Sequence, residues 1–223
     1  MKKILSIILT LVLAFSLAAC GTGNTQPEET ANPPQSDENT STDNEATDDS
    51  KTEESESTAD AASAQGKVLV AYFSKTGNTE TIANMIAGQT GGELFKVETV
   101  TPYPEDYDET VDIAREEQDN DARPELSTHV EDMSQYDVIY LGYPNWWGTM
   151  PQAMFTFLEE YDFSGKTIIP FCTHGGSALG RSEGDIASLV PDALLLDGLA
   201  VSGSSVDGAQ ADVEEWLNGL GLE

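Results

Sequence analysis

The rhythm of hydrophobic and polar positions changes at residue 67. From there on, short apolar runs of strand character alternate with stretches whose apolar residues recur every three or four positions. Val68-Leu69-Val70-Ala71-Tyr72-Phe73 has the β-branched and aromatic content of a buried strand. Ile82, Met85 and Ile86 follow at i, i+3, i+4 and predict a helix ending near Gln89, ahead of the breaker Gly91-Gly92. Glu93 to Val100 reads as a second strand, Pro102 and Pro104 begin a loop, and Tyr107 to Gln118 reads as an acidic helix. Asp137 to Gly142 is a third strand. Thr149-Met150-Pro151 is expected to cap and open a helix whose apolar face is Met150, Met154, Phe157 and Leu158. Thr167 to Thr173 makes a fourth strand. Arg181 to Leu189 makes a helix, with Ser182 and Asp185 in capping-box spacing. Leu194 to Val201 is a fifth strand, and Ala209 to Leu220 an amphipathic helix on Val213, Trp216, Leu217 and Leu220. Five βα units predict an α/β fold: a doubly wound, five-stranded parallel sheet with helices on both faces.

The first 66 residues follow another pattern. Lys2 and Lys3 precede a mostly apolar run, Ile4 to Leu17, which suits a signal peptide and is short for a membrane-spanning helix. Leu17-Ala18-Ala19-Cys20 resembles the lipobox of bacterial lipoproteins, so residues 1–20 are expected to end in a lipidated Cys20. That places the protein on the extracytoplasmic face of the cell membrane, held by a lipid anchor; paired acyl chains supply the double signal that stable attachment needs. Residues 21–66 contain no aromatic or large aliphatic residue, and twelve acidic residues stand there against Lys51. Such a segment cannot offset its conformational entropy by burial and is expected to be a disordered acidic tether. Residues 67–223 are then one domain of ordinary size.

Charge narrows the partners. The chain carries a formal −30. Twelve of its forty acidic and three of its ten basic residues precede Lys67, leaving 28 against 7, or −21, on the domain. This disfavours nucleic acid and anionic lipid surfaces, and fits a protein partner with a basic docking face. Cys20 and Cys172 are the only cysteines; lipidation would consume the first, leaving no internal disulfide.

Three loops at strand ends hold the candidate chemistry. Ser74-Lys75-Thr76-Gly77-Asn78-Thr79 joins a strand to a helix through small hydroxylic residues and a glycine. A turn of that kind offers backbone N–H groups and a helix dipole to an anion, phosphate above all, although an ordinary capped βα turn reads the same way. The dinucleotide and NTP-binding glycine patterns are absent. Tyr143-Pro144-Asn145-Trp146-Trp147-Gly148-Thr149 follows the third strand. Two adjacent indoles cannot both point into one core, so either one walls a ligand, or Trp147 wedges under the next helix while Trp146 packs on Tyr143. The third loop runs from Cys172 to Gly180; Thr173, His174, Gly175 and Gly176 would let backbone approach the edge of a planar ring. His174-Gly175-Gly176-Ser177 also looks like a fragment of a hydrolase oxyanion loop, but Leu179 stands where a nucleophile elbow needs its second glycine. No catalytic residue is assigned, and no metal site: Cys172 and His174 fall short of a ligand set.

Ser74, Thr76, Gly77 and Thr79 match the Ser/Thr-x-Thr-Gly-x-Thr phosphate loop of flavodoxins, and residues 67 to about 220 as a whole resemble the flavodoxin-like family. Within that family they more closely resemble the flavodoxin-type lipoproteins exported by bacteria. The resemblance implies strand order 2-1-3-4-5, with the ligand at the carboxyl ends of the strands. It implies FMN, the phosphate on Ser74–Thr79 and the ring between the loops of Pro144–Gly148 and Thr173–Gly176. The tyrosine that many flavodoxins stack on the flavin has no counterpart after the fourth strand. An electron carrier docking on redox proteins is the expected function. An NAD(P)H-dependent FMN oxidoreductase of the quinone- or azo-reducing sort is the alternative, and a non-redox ligand-binding lipoprotein a third. Lys75 and Arg181 are the only basic residues near the site for a nicotinamide 2′-phosphate.

Overall fold

The computed structural model describes residues 66–222. The expected signal segment with Cys20, and nearly all of the expected tether, lie outside the described residues. Within them, parallel strands β1 (Lys67–Tyr72), β2 (Glu93–Lys96), β3 (Tyr136–Pro144), β4 (Thr167–His174), β5 (Leu194–Leu195) and β6 (Leu199–Ser202) alternate with helices. The helices are α1 (Asn78–Thr90), α2 (Tyr107–Asp119), α3 (Gln152–Glu160), α4 (Ser182–Leu189) and α5 (Gln210–Gly219). The sheet runs β2-β1-β3-β4-β5, with β6 continuing the last position against β4. The order 2-1-3-4-5 is therefore as expected.

Alternation along the strands divides the core in two. Leu69, Ala71, Ile139, Leu141 and Ile168 face Met154, Phe157 and Leu158 of α3 and Ile186 of α4. Val70, Tyr72, Tyr140, Ile169 and Phe171 face Ile82, Ala83 and Ile86 of α1 and Val213 of α5. Complete burial of such a side chain contributes about 1.5–3 kcal/mol. That is why the central strands read as continuous apolar runs.

Four local expectations are corrected. β2 ends at Lys96 rather than Val100, because the chain leaves the sheet there. After Val97 donates to Tyr72 O, the segment pairs antiparallel with residues 125–127, through Val100 N to Glu125 O and Ser127 N to Glu98 O. The fifth strand is split at Leu196-Asp197-Gly198. Leu196 N donates to Ile168 O, so a parallel ladder would next need an N–H from residue 170 for the Leu196 carbonyl. That residue is proline. Thr149 does not cap α3, whose N-cap is Pro151; its hydroxyl donates instead to Asp185 Oδ2 at 2.6 Å. The capping box of Ser182 and Asp185 does not form. Ser182 is the first residue of α4, its hydroxyl donating to Leu179 O and lying 2.7 Å from the Tyr143 hydroxyl.

Candidate cofactor-binding site

The carboxyl ends of β1, β3 and β4 open into one cavity of about 830 Å³. Lys75, Thr76, Asn78 and Thr79 form one end; Pro144, Asn145, Trp146, Trp147, Thr173, His174 and Gly175 continue it.

At the first end, Gly77 turns the chain into α1 with φ +91, a left-handed conformation costly for any residue with a Cβ. Ser74 Oγ accepts the N–H of Glu80, and Gly77 O accepts that of Thr81. Among the described residues, the N–H groups of Thr76, Gly77, Asn78 and Thr79 have no acceptor. Unpaired donors at a helix start, with Thr76, Asn78 and Thr79 lining the cavity, make a cradle that suits an anion such as phosphate. Lys75 adds the cavity's positive charge, held 3.4 Å from Glu105. Thr79 and Thr173, nearly inaccessible, are joined hydroxyl to hydroxyl at 2.9 Å, which ties the cradle to the end of β4.

The loops after β3 and β4 are locked to each other through backbone. Asn145 N donates to Thr173 O, and its side-chain amide both donates to Ala178 O (2.7 Å) and accepts from Gly148 N (3.0 Å). Arg181 N donates to Gly148 O. Trp147 (φ +53) and Gly148 (φ +86) form a tight turn of the I′ kind closed by paired bonds between Trp146 and Thr149. A tryptophan in that conformation costs about 1–3 kcal/mol, which these contacts must hold in place.

The two indoles part company. Trp146 makes edge contacts with Phe73 (5.5 Å) and Tyr103 (5.1 Å), not the ring contact with Tyr143 that the second of the two alternatives required. Trp147 is 45% exposed and lies on α2, not under α3: its Nε1 donates to Val111 O and the Arg115 guanidinium sits 4.8 Å from its ring. On the far side, Gly176 N donates to His174 Nδ1. Because Nδ1 accepts, a neutral His174 ring carries its proton on Nε2. Cys172 is buried with its thiol pushed up to about 12 by desolvation, and donates to Ala178 O; it is a packing residue, not a nucleophile.

Ser74, Gly77, Gly148 and Gly176 hold the loops without lining the cavity. Sequence reasoning missed Glu105, Tyr107, Thr110, Val111 and Ala114, which bring the start of α2 to the cavity, and Gly203 beyond β6. Tyr107, 76% exposed at the head of a predicted helix, was the available signal. Among the described residues there is no cluster of three metal-ligating side chains, and no helix long and apolar enough to cross a membrane.

A doubly wound sheet with an anion cradle after its first strand, and an aromatic-sided cavity at its switch point, defines a flavodoxin-like protein. Residues 67–220 match the flavodoxin family profile, and the chain belongs to that family. It is 33% identical to flavodoxin 1 of Escherichia coli K12 over 104 residues, a match that spans 45% of each chain. The match thus spans less than half the length of that curated relative. Among solved structures, a candidate flavoprotein of Bacteroides uniformis is 31% identical, with a TM-score of 0.61 over 69% of this chain and 99% of its own. A Lactobacillus acidophilus flavoprotein in complex with FMN shares the fold at 24% identity, with a TM-score of 0.55 over 64% of this chain and 97% of its own.

Proposed function

We propose that the protein binds FMN and carries electrons between redox proteins at the outer face of the bacterial membrane, tethered through Cys20. The observation that carries this reading is the meeting, in one cavity, of three cradle residues whose N–H groups have no acceptor (Thr76, Asn78 and Thr79) with an aromatic loop and a glycine-rich loop. The cradle of Lys75–Thr79 would take the phosphate; Pro144–Trp147 and Thr173–Gly175 would flank the ring. When bound, FMN supplies the one- or two-electron chemistry; the chain's own residues bind it, orient it and set its electrostatic surroundings. Membership of the flavodoxin family supports the cofactor.

The domain's formal −21 bears on the direction of transfer. Each uncompensated carboxylate about 10 Å away, at an effective dielectric near 40, opposes added negative charge on a ring by roughly 0.8 kcal/mol before salt screens it. A potential below that of free FMN follows, which suits a donor to a partner with a basic face. The two cations considered for a nicotinamide 2′-phosphate already have carboxylate partners, Lys75 with Glu105 and Arg181 with Asp185.

Three measurements on the purified protein decide the matter. It should bind FMN at one per chain, pass electrons to a basic redox protein in a salt-sensitive way once its flavin has been reduced with dithionite, and oxidise NADH and NADPH only slowly. Rapid, saturable NAD(P)H oxidation with a quinone acceptor would replace the carrier by an oxidoreductase.

A further inference from the structure

A flat ring has two faces to cover, and the aromatic residues near this cavity are unequally free to do so. Trp146 is committed to Phe73 and Tyr103. Residues 175–181, which follow β4, include no aromatic side chain. Trp147 keeps an exposed face but is fixed on α2 through Val111 O. One helical turn earlier on α2 stands Tyr107, at i−4 from Val111 and so its neighbour on the helix surface. Among the described residues it is the most exposed of the large hydrophobic side chains (76%), yet it lines the cavity.

Its backbone, in contrast, is firmly placed. Asp106 caps α2 by accepting Glu109 N at 3.0 Å, and Thr110 Oγ1 bonds Pro104 O and Asp106 O. Glu105 reaches the cradle's Lys75. An uncovered aromatic ring on a well-anchored backbone at a cavity rim gains nothing in the folded protein alone. The same ring becomes an apolar wall once a planar ligand lies against it.

We propose that Tyr107 is a wall of the ring-binding slot, working beside Trp147 and supplied by the head of α2 rather than by the loop after β4. This rests on the FMN reading above and names a positioning residue for it. Its partner chemistry is a flat, electron-poor heteroaromatic ring, and phosphate has no part in the contact.

Titration of the purified full-length protein and its Tyr107→Ala and Tyr107→Phe variants with FMN and with riboflavin tests this. Flavin fluorescence and visible circular dichroism provide the readouts. Tyr107→Ala should weaken both flavins by the same factor, about tenfold, with a changed dichroic band and an unchanged melting temperature. Tyr107→Phe should stay within about twofold of the parent. Parent-like affinity and dichroism in Tyr107→Ala would overturn the proposal. So would a loss confined to FMN, since that would place Tyr107 at the phosphate. If the parent protein binds neither flavin, the FMN reading itself fails and takes this one with it.

Discussion

A Cβ on Gly180 would stand 2.2 Å from the carbonyl oxygen of Gly148. The loops after β3 and β4 therefore touch backbone to backbone at that point, and Gly180 has φ +61 as well. Gly180→Ala should destabilise the protein by about 2 kcal/mol or more and weaken ligand binding through the displaced turn. At Gly175 a Cβ meets nothing within 4 Å, so Gly175→Ala should keep the parent's stability to within about 0.5 kcal/mol. Equal melting temperatures for the two variants would contradict the close approach.

The pair Thr79 and Thr173 predicts a coupling. Replacing either by Val leaves the other hydroxyl buried without this partner, at a cost of about 1–3 kcal/mol. The double Val variant should cost less than the two singles together, by about 1 kcal/mol. Strict additivity in denaturant titrations would show that the two hydroxyls do not depend on each other.

Gly77 separates phosphate from ring. With φ +91 and open space around it, a side chain there meets backbone strain rather than a neighbour. Gly77→Val should distort the cradle and reduce FMN affinity at least tenfold while leaving riboflavin affinity little changed. Equal loss for both ligands in calorimetry would mean that the loop has no special part in holding phosphate.

Glu117 should show in the pH dependence of stability. Burial raises its carboxyl above the ordinary 4.5, while Tyr103, whose hydroxyl donates to it at 2.7 Å, pulls the other way and loses. A raised folded value means that the stabilising contribution is complete below pH 4.5 and disappears as pH climbs through that raised value. Glu117→Gln keeps an acceptor for Tyr103 without the buried charge. Its melting temperature should exceed the parent's at pH 8, and the gain should vanish below pH 4.5. Coincident melting curves at pH 8 would refute the burial penalty.

Anchoring is tested at Cys20. Cys20→Ala should release the protein from the membrane fraction or leave its signal segment uncleaved. Processing and retention like the parent's would exclude the lipid anchor.

What was legible in the sequence was local. Ser74–Thr79 is contiguous, so its hydroxyls and glycine could be read as a cradle without knowing what packs around them. Runs such as Val68–Phe73 declared buried strands because both faces are covered. Tyr107 and Glu105 could not be placed at the cavity in the same way. Their position depends on the chain leaving β2 at Lys96 and pairing with Glu125–Ser127, a long-range event with no sequence period. Adjacent tryptophans told that their directions differ; which one turns inward was decided by Phe73 and Tyr103, distant in sequence. Pro170 lacks an N–H, but only the register set by Leu196 N on Ile168 O puts that gap on the side of the last strand rather than of β3.

The parting of Trp146 and Trp147 has a practical side. The chain's third tryptophan, Trp216, packs on Tyr140 in the other half of the core, its Nε1 bonded to Asp197 O. Two of the three indole chromophores thus border the cavity, and the sheet screens the remaining one from it. Intrinsic tryptophan emission is accordingly a built-in gauge of occupancy: a ligand entering the slot should perturb the cavity pair and leave a constant background from Trp216. Occupancy can therefore be followed in the purified protein without a label.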